Sequence, residues 1–355
     1  MRKKLKVGLI GLGGICRAVH APSYLTMDNV EIAAVCDIIP EKIESFKKEF
    51  NMNNVGSFTD YKELLDFEGL DFIDICTPNY LHSVIAVEAL EKGLNVFCEK
   101  PDAISVEEAL KMQNTAEKSG KKLMVMRNNR HRETARYLKA YIEDGKMGEI
   151  YCGRCGWQRV RGIPGKGGWF TTKAQSGGGP LIDLGVHMID LAIWLMGNPT
   201  PVSVSGCTYT KFADSDLSDS VHSSFGEKNE DGIFDVEDLA MGFIRFDNGA
   251  CLQIEFSWAS NVEKENIFVE LRGTKSGATF DDCGVKIFTE SNGYLENLNP
   301  RVKDARNAHG ENIKHFADVL LNDAEPDFVP VQGVNMIKIL EAIYKSAETG
   351  REVIL

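Results

Sequence analysis

An apolar run at residues 5–10 passes straight into Gly11-Leu12-Gly13-Gly14-Ile15-Cys16. A strand that must turn within two residues and start a helix leaves few folds open. Glycine there supplies the tight turn and lets backbone N–H groups approach an anion at the positive helix end. The third position of the G-x-G-x-x-G pattern is Cys16, small enough for close helix packing but a departure from the usual glycine or alanine. The rest of the first third has the same grammar. Val-, Ile- and Cys-rich runs at 32–36, 72–76, 95–98 and 123–126 alternate with helical patterns at 40–50, 81–92 and 106–118. The runs lack polar alternation, which suits a sheet covered on both faces. Ser105, with Glu108 three residues on, reads as a capping box for the last helix. The expectation is an α/β chain whose N-terminal domain, residues 1–126, is a Rossmann fold with a doubly wound parallel sheet.

After an expected linking helix at 133–144 the pattern changes. A strong helix at 181–196 precedes strand-like runs at 201–210, 239–246, 250–259, 267–272 and 285–288, with a hairpin signal at Asp247-Asn248-Gly249. Helices at 312–321 and 334–349 follow. Residues 127–355 therefore read as a C-terminal α+β domain on a mostly antiparallel, open-faced sheet, one face of which is left for a partner subunit. No internal repeat is visible.

Composition excludes several classes. The 355 residues suffice for about two domains, and 40 Lys+Arg against 52 Asp+Glu give −12, against the basic stripe of a nucleic-acid binder. Nine scattered cysteines fit a reducing cytoplasm, not a disulfide framework. Cys152 and Cys155 have C-x-x-C spacing, but no second pair completes a zinc set and an extended segment points them to opposite faces, so no metal is expected. The basic start and apolar run of the first residues superficially resemble a signal peptide. Glycines interrupt it and cleavage after Ala21 would remove the loop, so it reads as a first strand. No run of 18 or more apolar residues suggests a membrane span.

Three further features carry chemistry. Asp37 ends the second strand, 21 residues beyond Cys16, where an acid accepts hydrogen bonds from ribose hydroxyls. It repels a 2′-phosphate and no arginine follows directly, so NAD is favoured over NADP. The strand at 95–98 runs into Glu99-Lys100-Pro101, where a lysine can hold a substrate oxygen and stabilise its developing charge; a solvated strand-end lysine is the alternative. Finally, Gly177-Gly178-Gly179-Pro180 opens a helix apolar nearly all round, except for Asp183, His187 and Asp190 at i, i+4, i+7 spacing on one stripe. Burying them is costly unless they are paired or face a polar cleft.

Over its whole length the chain resembles the glucose-fructose oxidoreductase, inositol dehydrogenase and MocA family of nicotinamide-dependent oxidoreductases. The marks are the loop at 11–16, Thr77-Pro78-Asn79 followed by His82, Glu99-Lys100-Pro101, the glycine-led helix with Asp183 and His187, and, less specifically, Gly167-Gly168-Trp169-Phe170 and Asn248-Gly249. The resemblance implies Lys100, Asp183 and His187 as the catalytic set. It implies a cofactor site from Gly11, Leu12, Gly13, Gly14, Ile15, Asp37, Ile38, Thr77, Pro78, Asn79, His82, Glu99 and Lys100, and a homodimer or homotetramer through the C-terminal sheet. His187 would take the proton from a substrate hydroxyl as hydride leaves the same carbon, Lys100 would orient the oxygen, and Asp183 would position hydroxyls or Lys100. A sugar, cyclitol or related polyol is the implied substrate. Two alternatives stay open: an NAD-dependent glycosidase with no net redox change, which would cleave a glycoside without accumulating NADH, and a non-catalytic nucleotide-sensing protein, which would not need all three catalytic residues.

Trp157 and Trp169 read as pocket walls or as core. Between residues 151 and 182 there are five basic residues (Arg154, Arg159, Arg161, Lys166, Lys173) and no acid, with Arg127, Arg130 and Arg132 just upstream. They read either as a solvated face or as a positive rim that would attract a sugar acid or phosphate, with Arg127 and Arg161 as substrate contacts. Conversely, nine acids and one lysine between 213 and 238 carry −8 of the total −12. That segment reads as a solvated surface loop, so the global charge does not exclude an anionic substrate.

Overall fold

Six parallel strands form the first sheet: β1 (Leu5–Ile10), β2 (Val30–Cys36), β3 (Gly56–Phe58), β4 (Phe72–Ile75), β5 (Asn95–Cys98) and β6 (Leu123–Val125), in the order β3-β2-β1-β4-β5-β6. The computed structural model describes residues 4–218 and 221–355. Only Lys6 of β1 is exposed and β4 is buried throughout, as a sheet packed on both faces requires. This order reverses direction between β1 and β4, so the segments leaving those two strands flank the crevice where such sheets bind ligands. Helices Pro40–Glu49, His82–Glu91 and Val106–Ser119 cross between strands. At the last of them, Ser105 Oγ accepts the Glu108 N–H at 3.3 Å, while Glu108 Oε2 faces the Ile104 N–H at 3.4 Å, one residue before the expected partner.

The chain divides into two compact units, Met1–Met126 with His309–Val334, and Arg127–Ala308 with Asn335–Leu355. Residues 309–334 thus depart from the expected second domain. The reason is the apolar stripe Ile313, Phe316, Ala317 on helix Ala308–Asn322. Its Phe316 ring lies 5.4 Å edge-on from Phe72 of β4 and 5.2 Å from Phe97 of β5. The stripe completes the core beside those strands.

The second unit holds a nine-stranded sheet: β7 (Ile150–Gln158), β8 (Pro201–Tyr209), β9 (Leu239–Phe246), β10 (Cys251–Ser257), β11 (Asn266–Gly273), β12 (Ser276–Asp281), β13 (Gly284–Ser291), β14 (Tyr294–Leu298) and β15 (Val353–Ile354). The order is β14-β13-β12-β11-β7-β10-β9-β8-β15, and only β7 and β10 pair in parallel. Alternation gives the sheet two unlike faces. Cys155, Ile254, Phe256, Val269 and Leu271 are buried on one; Arg154, Gln253, Glu255 and Glu270 lie on the other. Cys152 and Cys155 accordingly project to opposite sides of β7. The helical stretch Lys173–Leu195 is long and apolar enough to cross a membrane, but 78% of its apolar 18-residue core is buried within the protein, as in a core helix.

Replacing Phe316 with Ala is expected to destabilise the protein by about 3–5 kcal/mol, the usual range for a buried phenyl ring. Urea unfolding reads this out, and a loss below about 1 kcal/mol would contradict the packing of residues 309–334 on the first sheet.

Candidate functional site

At the end of β1, Gly11 has φ +92°, and a Cβ there would lie 2.7 Å from the Cys76 carbonyl carbon and oxygen. Only glycine fits. Built on Gly13 or Gly14, a Cβ would meet nothing within 4 Å, so the outer side of the turn is open where the first helical N–H groups emerge. The helix begins with Arg17 N–H on Gly13 O at 3.1 Å and widens into a π turn over Cys16–His20, a distortion that recurs at functional sites. Cys16 is fully buried and its thiol meets that of Cys76, which burial holds well above its ordinary pKa. The Asp37 carboxylate accepts Leu12 N–H at 2.9 Å through one oxygen and Ile39 N–H at 3.0 Å through the other. It is half-buried and keeps a second acceptor position on each oxygen. Ile38 beside it is 83% exposed. An open glycine turn, an acid at the tip of β2 and an exposed apolar side chain fit a dinucleotide.

His82, one of the expected cofactor contacts, has its ring inside the protein. It is fully buried, with Nδ1 2.7 Å from Pro101 O and Nε2 2.9 Å from Thr77 O, and burial lowers its pKa. It braces the Thr77-Pro78-Asn79 turn against the Lys100–Pro101 peptide, which is cis. Thr77, Pro78 and Lys100 are half-exposed; Asn79 and Glu99 are buried.

Beneath Lys100 lies a triad of which sequence reasoning named only Glu99, as a cofactor contact. His20 has no exposed surface, and its Nδ1 is 2.7 Å from Asp74 Oδ2 while its Nε2 is 2.8 Å from Glu99 Oε1. Burial alone would lower the His20 pKa, but the two carboxylates, Asp74 foremost, raise it well above its ordinary value. Burial would likewise raise Glu99; the His20 bond, with His309 and Lys100 nearby, brings it below the carboxylate range. The triad is an imidazolium clamped by two acids. His20, Asp74 and Cys76 do bring metal-ligand atoms within 4.8 Å of one another, but both imidazole nitrogens already face carboxylates. The available signal was a lone acid in the apolar FIDI run and a lone histidine in the helix that follows the glycine turn.

In the second unit, the glycine run before the apolar helix is explained by its neighbours. A Cβ on Gly178 would lie 2.0 Å from the Tyr344 hydroxyl oxygen, and one on Gly179 2.0 Å from Glu237 O. The Glu237 carboxylate accepts Gly179 N–H at 3.0 Å, Leu181 N–H at 3.1 Å and the Tyr344 hydroxyl at 2.9 Å. Burial pushes its pKa up against those bonds. The helix opens as a π turn, Leu181–Gly185, and continues as Val186–Leu195. On its stripe, Asp183 and His187 are half-exposed, and Asp190 is buried against Arg127 and Arg130 at 2.6 to 2.9 Å. Trp258 Nε1–H donates to Asp183 Oδ2 at 3.0 Å, and the Trp157 ring lies 6.2 Å from that of His187.

Two sequence readings change here. The basic stretch is not a row of unengaged cations: Arg127 bonds Asp190, Arg132 bonds Asp304, Arg154 faces Glu270, and Lys166 pairs with Asp216. Arg161 donates to Val160 O, Ser260 O and Asn261 Oδ1 and lies over Phe212. Trp169 stacks on Phe170 at 3.8 Å. The acidic segment is not merely solvated either. Asn229 N–H bonds Lys166 O, Asp235 N–H bonds Thr171 O, and Thr171 Oγ1 donates to Ile233 O. A Cβ on Gly167 would overlap Asn229 O at 1.8 Å. Of its acids, Asp219 lies outside the described residues. The segment delivers His222, whose ring is 6.1 Å from that of Trp157, to a carboxylate, Glu265, that also takes Trp157 Nε1–H at 2.6 Å.

Comparison with known proteins is consistent across the chain. A family model described as an oxidoreductase family with an NAD-binding Rossmann fold matches residues 5–127, and one described as the GFO/IDH/MocA C-terminal domain matches residues 135–279. A D-glucoside 3-dehydrogenase of Escherichia coli (strain K12) is 34% identical over 98% of this chain and 97% of its own. A levoglucosan dehydrogenase of Pseudarthrobacter phenanthrenivorans is 30% identical over 79% of this chain and 74% of its own. Among solved structures, GenD2 from gentamicin A biosynthesis in complex with NAD has TM-score 0.80 at 26% identity, covering 100% of this chain and 97% of that one. A levoglucosan dehydrogenase complex with NADH shares the fold at TM-score 0.85, 24% identity and 99% coverage of both chains.

The His20 triad generates a pH signature. The raised His20 pKa stabilises the fold fully below its unfolded value of 6.5 and is lost as pH climbs toward its folded value; the depressed Glu99 pKa stabilises above 4.5 and is lost on acidification. Between 4.5 and 6.5 this cluster leaves the wild type flat. His20→Gln should cost about 3–5 kcal/mol near neutrality, because two buried acids lose their cation. Without that cation, burial pushes the Glu99 pKa up and it takes up a proton on folding, so the variant should regain stability between pH 6.5 and pH 5. Urea melts at the two pH values check this, and a pH-independent deficit would contradict the assignment.

Proposed function

Because this chain belongs to the GFO/IDH/MocA family of oxidoreductases, we propose that it oxidises a hydroxyl of a sugar or related polyol to a carbonyl with NAD as the hydride acceptor. The observation that carries the reading is the pair Asp183 and His187. They are the half-exposed polar residues of a helix whose other polar stripe member, Asp190, is buried in ion pairs; His187 lies beside the Trp157 indole and Asp183 takes the Trp258 N–H. An indole face suits the C–H face of a pyranose. The names of the relatives, a D-glucoside 3-dehydrogenase and a levoglucosan dehydrogenase, support a pyranose substrate.

In this mechanism His187 takes the hydroxyl proton as general base. The family resemblance gives Lys100 the part of stabilising negative charge that develops on a substrate oxygen. Asp183, with one oxygen fixed by Trp258, accepts from a neighbouring hydroxyl and sets the orientation of the ring. The residues that would hold the dinucleotide are the turn at Gly11, Gly13 and Gly14, with Asp37 at the ribose and Ile38 beside it. When bound, its nicotinamide ring supplies the hydride acceptor. Asp37 supports NAD over NADP, since a 2′-phosphate would meet its carboxylate. The partly apolar outer face of the second sheet, with Tyr209 and Phe288 exposed, supports assembly as a homodimer or homotetramer. No disulfide joins the nine cysteines, which supports a cytoplasmic setting.

A spectrophotometric screen of pyranosides, polyols and sugar acids with NAD and NADP tests the reading. His187→Ala should lower kcat/KM by about 10²- to 10⁴-fold, the usual contribution of a general base, while NADH binding by fluorescence stays intact. Near-normal turnover in this variant would remove His187 from the mechanism. Asp37→Ser should shift the NAD-to-NADP preference by about tenfold or more toward NADP, the scale of one charge-assisted bond; an unchanged ratio would exclude Asp37 from cofactor choice.

A further inference from the structure

The Trp157 indole is flanked by two imidazoles, His187 at 6.2 Å and His222 at 6.1 Å between ring centroids. The first belongs to the proposed catalytic pair. The second comes from the acidic segment and meets Glu265, which immediately precedes β11. Three protein groups converge on the same oxygen of that carboxylate: Trp157 Nε1 at 2.6 Å, His222 Nε2 at 3.4 Å and Arg159 Nε at 3.7 Å. Among the described residues no hydrogen bond or ion pair engages Oε2, although the side chain is only 33% exposed. A carboxylate with one oxygen held by the Trp157 N–H, and with His222 and Arg159 beside that oxygen, presents the other in a set direction. Asp183 lies close enough for its charge to raise the pKa of both Arg159 and His222 against burial.

We infer that Glu265 and His222 form the remote end of the sugar site, where Glu265 Oε2 accepts a hydrogen bond from a hydroxyl away from the carbon being oxidised, and that this end selects an uncharged substituent. The inference rests on the sugar-oxidising reading above and deepens it. Among the described residues, Asp183 and Glu265 both act on Arg159, which is buried, lies over the Trp157 ring at 5.0 Å and is already beside Glu265. A phosphate or carboxylate on the sugar would meet the Glu265 charge with no unengaged arginine of this wall to answer it. His222 supports the carboxylate as a neutral donor, because burial and Arg159 lower its pKa, with Glu265 and Asp183 opposing. The acidic segment therefore acts as a specificity wall of the pocket.

The test compares an uncharged methyl hexopyranoside with the corresponding hexose 6-phosphate and hexuronate at saturating NAD, alongside calorimetric titration of the glycoside into the enzyme–NADH complex. The wild type should favour the uncharged sugar in kcat/KM by about a hundredfold or more, a margin typical of charge mismatch in a partly desolvated site. Glu265→Gln should raise KM for the glycoside by about tenfold, the scale of one hydrogen bond to a charged group, with kcat changed less than about threefold, and should narrow discrimination against the phosphate. His222→Gln should move KM in the same direction, and its melting temperature and that of Glu265→Gln should stay within a few degrees of the wild type. Equal or better turnover of the charged sugars, or an unchanged glycoside KM in folded Glu265→Gln, would overturn the inference while leaving the dehydrogenase reading intact. Glycoside binding that weakens in Glu265→Gln, without turnover of any sugar by the wild type, would overturn the dehydrogenase reading and leave the recognition site standing.

Discussion

A histidine with no exposed surface sits between two carboxylates that are nearly as deeply buried, and the first unit's ligand edge is organised around that contact. Taking an imidazolium and two acids out of water costs several kcal/mol per ion, which is tolerable only where the charges meet in short, charge-assisted bonds. The triad meets that requirement by joining three elements. His20 comes from the helix after the glycine turn, Asp74 from β4, and Glu99 from the end of β5. None of them can shift without leaving a charge unanswered. Lys100 inherits this rigidity, because its own N–H donates to Glu99 Oε2 at 3.1 Å.

The second unit meets a similar requirement with different chemistry. Glu237 is a buried carboxylate at a helix start, where oriented N–H groups and the helix dipole favour negative charge. It joins the end of the acidic segment, the glycine run and Tyr344 of helix Pro330–Thr349. In each unit a helix beside the candidate site contains a wide π turn and is pinned near that turn by a buried acid. The pinned groups and the proposed reacting groups differ: His20 and Glu237 are enclosed, whereas Lys100, Asp183 and His187 keep partial exposure. Rigid support beneath partly open side chains is what positioning a hydroxyl demands.

Much of this was legible in the residues. β1 and β9 occupy the expected spans because their flanking turns are marked by glycine, and the spacing of Asp183 and His187 already showed a costly polar stripe in an apolar helix. The misses have physical causes. β7, the strand that carries Trp157, has Gly153 and Gly156 where Leu271 and Phe268 pack within 3 Å of the absent side chains, so its apolar pattern is supplied by neighbours. The stripe on helix Ala308–Asn322 announced that the helix was covered, but a stripe does not say by what. The acidic segment looked solvated because composition records side chains, whereas it docks largely through backbone N–H and C=O groups. Glu265 was invisible for a related reason: its meaning depends on three partners distant in the chain.

The central claim is that a carbon-bound hydrogen of a sugar moves to the nicotinamide ring. The direct measurement is to incubate the enzyme and NAD with a hexopyranoside deuterated at every ring carbon and to examine the reduced cofactor and the sugar by NMR. The account requires one deuterium at nicotinamide C4 for each carbonyl formed, with the glycosidic bond intact. Glycoside cleavage without accumulation of reduced cofactor, or reduced cofactor free of deuterium, would contradict it.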